Sequence, residues 1–179
     1  MTDSPDSNSP RTVTVRPATG EDIDQLVRVS RSADTAFHAA GLDLPPDDPE
    51  EEFRSSEWLL VAEVAVDGTA RVAGFATLLD IGGGQAHLAG LGVHVDHMRR
   101  GVGTTLLDAA RSQARDRGYA WLTLTTFRDL PFNAPWYRRR GFSVVDSVSL
   151  TPELAERFRL EDEGSGHAAP RVAMRRALR

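Results

Sequence analysis

Apolar and polar positions alternate over residues 12–18, TVTVRPA, as on a half-buried strand. The following segment, TGEDIDQLVRVSRSADTAF, changes to helical spacing, with Ile23, Leu26, Val27 and Ser30 on one face. Thr19 is placed to cap this helix, and Glu21 and Asp22 suit its positive end. GLDLPPDDPEEEFRSSE reads as a loop with room for one helical turn. Two apolar runs follow, WLLVAEVAV at 58–66 and ARVAGFATLLDI at 70–81, and the Asp67-Gly68 pair between them is a hairpin signal. The glycines at 82–84 make a second tight connection into QAHLAGLGVHV at 85–95. Three antiparallel strands in succession are therefore expected.

Farther on, the pattern predicts a helix over 101–117 that stops at Gly118, a strand over 119–127, and a short helix over 133–140 ended by Gly141. A strand over 142–150 comes next, then a helical turn capped by Thr151 with Pro152 at its first position. The acidic loop EDEGSGHAAP leads into a last strand, RVAMRRAL. The order is α+β, with one mixed, mostly antiparallel central sheet flanked by helices. Residues 1–10, MTDSPDSNSP, lack apolar anchors beyond Met1 and are expected to be a disordered tail, leaving 11–179 as a single domain.

Composition narrows the function classes. A chain of 179 residues, 40% apolar and 26% charged, is an ordinary soluble globular domain. It has no cysteine, which excludes a disulfide scaffold, a thiolate metal site and a cysteine nucleophile. All 21 basic residues are arginine, so no lysine Schiff base is available. A net charge of -5 argues against nucleic acid as a partner. No run reaches the ~18 apolar residues that span a bilayer, and no signal peptide is evident, so the expected location is the cytoplasm. No metal is expected, because no third ligand accompanies His87 and His94.

The densest chemistry lies in LGVHVDHMRRGVGTTLL. Gly90 and Gly92 interrupt a strand, which marks either a bulge or the close approach of another group. Gly101 and Gly103 allow positive φ at a helix start, where successive N–H groups and the helix dipole favour an anion. Arg99 and Arg100 add formal charge. Either a glycine-eased helix start or a diphosphate seat satisfies this pattern. A dinucleotide fingerprint fails because Leu106 stands where its third glycine belongs, and a P-loop fails for want of lysine.

The stretch resembles the signature of the GNAT superfamily of acetyl-CoA-dependent N-acetyltransferases, and NAPWYRRRGF at 133–142 resembles that family's second motif. Met98 stands where the family usually has Arg or Gln. The resemblance implies a single domain whose sheet splays at a bulged strand to admit the cosubstrate. It implies that the backbone of Leu91, Gly92 and Val93 pairs with the pantetheine arm. It further implies that Arg99, Arg100, Gly101, Val102, Gly103 and Thr104 cradle the pyrophosphate, with Asn133 also on the cofactor side. Tyr137 then becomes the acid that protonates the leaving thiolate. The acceptor is a primary amine of a small molecule or peptide, and a homodimer fits, since dimers are common among similar proteins. Strand 119–127 offers Thr125 and Thr126 rather than a carboxylate, which leaves Glu63, His87, His94 or a water chain as the base. The RRR run at 138–140 reads as a solvated helix face, and Phe37 and Phe132 as possible walls of an acceptor pocket. LPPDDPEEE at 44–52 reads either as a solvated loop or as an acidic border to that pocket. The competing reading is a CoA-binding regulatory module without turnover.

Overall fold

The computed structural model describes residues 12–179. The expected tail at 1–10 lies outside the described residues. Among the described residues, seven strands form one sheet in the order β1-β2-β3-β4-β5-β7-β6. These are β1 (Val13–Pro17), β2 (Trp58–Val66), β3 (Thr69–Asp80), β4 (Gln85–Val93), β5 (Trp121–Phe127), β6 (Ser143–Val144) and β7 (Arg171–Ala177). Every neighbouring pair is antiparallel except β4 and β5. The helices are α1 (Ile23–Ala39), α2 (Pro49–Ser55), α3 (Val102–Asp116), α4 (Ala134–Arg138) and α5 (Pro152–Gly164).

Strand alternation gives the sheet two buried faces. Leu60, Ala62 and Val64 of β2 pack with Val102, Leu106, Leu107 and Ala110 of α3. Val61 of β2 and Phe75 of β3 pack with Ile23, Leu26 and Val29 of α1 and Phe53 of α2. The hairpin forms where expected, with Asp67 and Gly68 both at positive φ, 50° and 76°, as a two-residue primed turn requires.

Two elements differ from the sequence expectation. The strand expected over 142–150 pairs only at Ser143 and Val144, against Arg175 and Met174. Val145 then turns in to pack with Leu154 and Ala173, and Ser147–Ser149 form a 3-10 turn. The second difference is larger. The expected helical turn and the first four residues of the acidic loop, 161–164, form one thirteen-residue helix, α5. Only Leu154 is buried on it, so apolar periodicity does not announce the helix. Charge spacing does: Arg157 pairs with Glu161 at 2.7 Å and Arg159 with Glu163 at 2.7 Å, both at i,i+4.

The bulge and the splay position the site. The β3–β4 register pairs Thr77 with Gly90 but Leu78 with Leu88, so Ala89 is the extra residue. β4 and β5 stay paired only from Gln85↔Trp121 to His87↔Thr123. Beyond that point the strands part, and the far edge of β4 faces a cleft.

Candidate active site

The cleft has two chambers that meet at Ala33, Phe37, Leu91, Gly92, Asn133 and Tyr137. One, of about 660 Å³, runs past Val93, Met98 and Arg99 to Gly101, Gly103 and Thr104, with Trp136 and Arg140 opposite. The other, of about 570 Å³, lies between α1, the loop at 42–47, Glu52 of α2, and the parted ends of β4 and β5.

The strand glycines explain how the second chamber is built. A Cβ at Gly92 would stand 2.5 Å from the Phe75 ring, and one at Gly90 only 2.7 Å from Thr77 Oγ1 and 3.2 Å from Glu52 Oε1. Gly90 and Gly92 share one strand face, and their cross-strand partners Thr77 and Phe75 lean into the space they vacate. Phe75 then takes Phe53 edge-on at 4.8 Å between centroids, which docks α2. The Thr77 hydroxyl donates to Glu52 Oε1 at 3.3 Å.

At the turn, Gly101 has φ 86° and precedes α3 as its N-cap. The first helical bond is Thr105 N–H to Gly101 C=O, 3.0 Å, which leaves the N–H groups of Val102, Gly103 and Thr104 outside the helical ladder. Gly103 does not use the positive φ open to glycine and is helical; the second left-handed residue at this turn is Arg99, at φ 58°. Gly103 packs closely instead, its Cβ position 3.6 Å from Trp136. Val102 buries its side chain in the core, so only its backbone is available to a ligand. Arg100 lines an adjoining surface groove with Arg71 and His97 rather than the chamber wall.

Arg140 corrects another expectation. Rather than being solvated, its guanidinium stacks 3.6 Å above the Trp136 ring and donates to Thr104 Oγ1 at 2.9 Å and to Trp136 C=O at 3.1 Å. Burial, helped by Arg139, lowers its pKa.

Tyr137 sits where the chambers meet, 8% exposed, edge-on to Trp136 and Phe142. Burial pushes its phenol well above the ordinary value; Arg140 opposes this and Glu161 adds to it. The group is protonated at neutral pH. Asn133 donates from Nδ2 to Thr126 Oγ1 at 2.7 Å, while its buried Oδ1 has no partner among the described residues.

The second chamber is acidic. Burial, together with Asp47, lifts Asp34 to about 6. Desolvation raises Glu52, against the Thr77 hydrogen bond and with the help of Asp47, Glu161 and Asp34. Glu161 behaves oppositely. Burial pushes it up, but His87 and Thr125 outweigh that and bring it down to about 2. His87 is fully buried, with Nδ1 3.0 Å from Thr123 Oγ1 and Nε2 2.9 Å from Glu161 Oε1. Thr123 donates its own hydrogen to Ala86 C=O, so it accepts from His87. Arg171 donates to Thr125, which donates to Glu161.

A family model for the acetyltransferase (GNAT) family matches residues 26–142. The chain belongs to that family. Solved GNAT-fold structures agree. An acetyltransferase of the GNAT family from Staphylococcus aureus Mu50 superposes with TM-score 0.70 at 13% identity, over 94% of this chain and all of that one. The PaiA N-acetyltransferase of Thermoplasma acidophilum, solved with coenzyme A, gives 0.65 at 19%, over 93% and 99%. N-acetylglutamate synthase of Neisseria gonorrhoeae, solved with coenzyme A and N-acetyl-glutamate, gives 0.68 at 21%. That match covers 94% of this chain but 35% of the synthase, so the present chain spans about a third of it.

Within this GNAT domain, Leu91, Gly92, Val93, Arg99, Gly101, Gly103, Thr104, Asn133 and Tyr137 line one chamber together. The base candidates fare differently. Glu63 is committed to Arg16 at 2.6 Å, on the β1–β2 side of the sheet. His94 accepts from Asp96 N–H and lines neither chamber. His87 stands behind Glu161. Phe37 touches both chambers, whereas Phe132, expected as a wall of the acceptor pocket, lines the first chamber instead. Sequence reasoning missed Glu161, Thr77 and Arg140. Only for Glu161 did the chain carry a signal, the Arg157–Glu161 spacing. Among the described residues no group of three His, Cys, Asp or Glu could hold a metal ion, and no helix is long and apolar enough to cross a membrane.

Proposed function

We propose that this GNAT domain transfers the acetyl group of acetyl-CoA to a primary amine carried by a small molecule or a peptide. The observation that carries the reading is the free edge of β4, which starts at the splay and leads to the unpaired N–H groups at the start of α3, with Tyr137 at the junction with an acidic chamber. The residues fit the donor. Leu91, Gly92 and Val93 offer backbone groups to an extended arm. Val102, Gly103 and Thr104 offer N–H groups to a diphosphate, with Arg99 and Arg140 supplying positive charge. The orphan Oδ1 of Asn133 is free to accept from an amide of the arm. Tyr137, kept protonated by burial, supplies the proton that the departing thiolate needs. The acidic chamber attracts a protonated amine and disfavours an anionic acceptor.

The test is thiol release from acetyl-CoA across a panel of 1,4-diaminobutane, spermidine, single amino acids and a peptide with a free N-terminus. Amine-dependent release is expected, together with a rise in melting temperature on adding CoA. A thermal shift without release by any amine would favour a regulatory CoA-binding module. Tyr137→Phe should lower turnover about a hundredfold, the usual worth of a positioned acid, and leave CoA binding within about threefold.

A further inference from the structure

The reaction requires a group that removes a proton from the incoming ammonium, since only the free amine has a lone pair. Four carboxylates open onto the acceptor chamber besides the rim: Asp34 of α1, Asp47 of the loop before α2, Glu52 of α2 and Glu161 of α5. His38 and Asp43, also in the wall, pair with each other at 2.8 Å.

Hydrogen bonding separates these groups. Glu161 accepts from His87, Arg157 and Thr125, and Arg171 lies 3.5 Å away. Its lone pairs are taken, and a carboxylate so stabilised is a poor proton acceptor. Among the described residues, the Glu52 side chain has one hydrogen bond, from the Thr77 hydroxyl to Oε1, and it lines the chamber. It is also the carboxylate that the bulge seats directly. The Gly90 Cβ position lies 3.2 Å from Glu52 Oε1 and 2.7 Å from Thr77 Oγ1, so the missing side chain at 90 is what lets both groups reach the β4 edge.

We propose that Glu52, held over the bulge by Thr77, is the general base of the acetyl transfer, an assignment that rests on the amine-acetylation reading above. The Glu52 carboxylate takes one proton from the ammonium. The freed nitrogen lone pair forms the C–N bond at the acetyl carbonyl carbon as the C–S bond breaks. The sulfur takes a proton from Tyr137, and the second proton leaving nitrogen restores the phenol. The proton on Glu52 passes to solvent, so one proton is released per acetyl group transferred. Thr77 is a positioning residue in this scheme, since it touches Glu52 and not the acceptor.

The groups that face Glu52 suit the role. Asp34, Asp47 and Glu161 each raise its proton affinity, and the Thr77 bond lowers it only in part. Desolvation and these like charges together raise its proton affinity above that of an ordinary carboxylate, which is the direction a base needs. Arg171, the chamber's cation, is engaged by Thr125 and Glu161.

The decisive comparison is kcat/KM against pH for the full chain and for Glu52→Gln, with acetyl-CoA and whichever amine of the panel releases thiol fastest. Glu52→Gln should still show the thermal shift with CoA, which certifies its fold. Its kcat/KM at neutral pH should fall about a hundredfold or more. Its profile should lose the limb belonging to Glu52 and rise with pH until the acceptor's own ammonium titrates. Glu52→Asp should recover part of the rate, and Thr77→Val should shift the limb with a smaller loss in rate. A Glu52→Gln variant within threefold of the parent and with the same pH profile would overturn the assignment. A parent protein that binds CoA yet releases no thiol with any amine would overturn the transfer reading itself, a separate result.

Discussion

The α2 wall and the α5 wall of the acceptor chamber each present a glutamate, and the two have opposite fates. Glu161 is tied to His87, Thr125 and Arg157, and its pKa falls to about 2. Glu52 is desolvated, meets one hydroxyl and three like charges, and its pKa rises. The side chain is the same and the cavity is the same; the partners decide whether a carboxylate braces the fold or handles protons. A braced carboxylate gives stability and no chemistry. A poorly partnered one contributes little stability and is available to react.

The largest effect should come from breaking the α5 wall. Glu161→Gln removes the carboxylate that holds His87, Thr125 and Arg157 together, which costs about 3 kcal/mol of unfolding free energy. Glu52→Gln should change stability by less than about 0.5 kcal/mol, as expected where no strong partner is lost. Urea unfolding of both variants checks the contrast, and equal losses would dissolve it.

Gly90→Ala attacks the other wall. The new methyl would press on Thr77 Oγ1 and Glu52. A cost of about 1–2 kcal/mol is expected for overpacking, with kcat/KM down about tenfold. CoA affinity should be unmoved within about threefold, as measured by calorimetry.

Acid separates the walls again. Glu161 has a folded pKa of about 2 against an ordinary 4.5, and Asp22, held down by Arg16, about 2 against 3.8. Depressed carboxylates stabilise the fold fully above their ordinary values, and that contribution fades as pH falls from about 4.5 towards 2. The melting temperature should therefore drop steeply below pH 4.5, and less so in Glu161→Gln. The smallest effect is Asp34→Asn. It removes one charge that raises Glu52, so the acidic limb of kcat/KM should move to lower pH. A limb moving up would contradict the assignment.

The two chambers also differ in how legible they were. The first chamber draws mostly on contiguous stretches, 91–104 and 133–140, where glycine, arginine and tyrosine stand at fixed spacing. The acceptor side is assembled from α1, the 42–52 segment, β3, β4, β5, α5 and β7, and no spacing rule connects Glu52 to Thr77, 25 residues away. Glu161 lay hidden because α5 is held by ion pairs rather than by an apolar stripe. Arg140 lay hidden because a run of three arginines reads as a solvated face until Trp136 is seen beneath the last of them. Gly90 and Gly92 were legible as a place of close approach. What approaches Gly90 and Gly92, Thr77 with Glu52 and Phe75, required the register.

Isothermal titration of the protein with CoA tests the account most directly. Saturable one-to-one binding is predicted, weakened about tenfold or more in Gly101→Val, which forces a branched residue to φ 86° at the turn, and unchanged in Glu52→Gln. No binding by the parent protein, or binding indifferent to Gly101→Val, would contradict it.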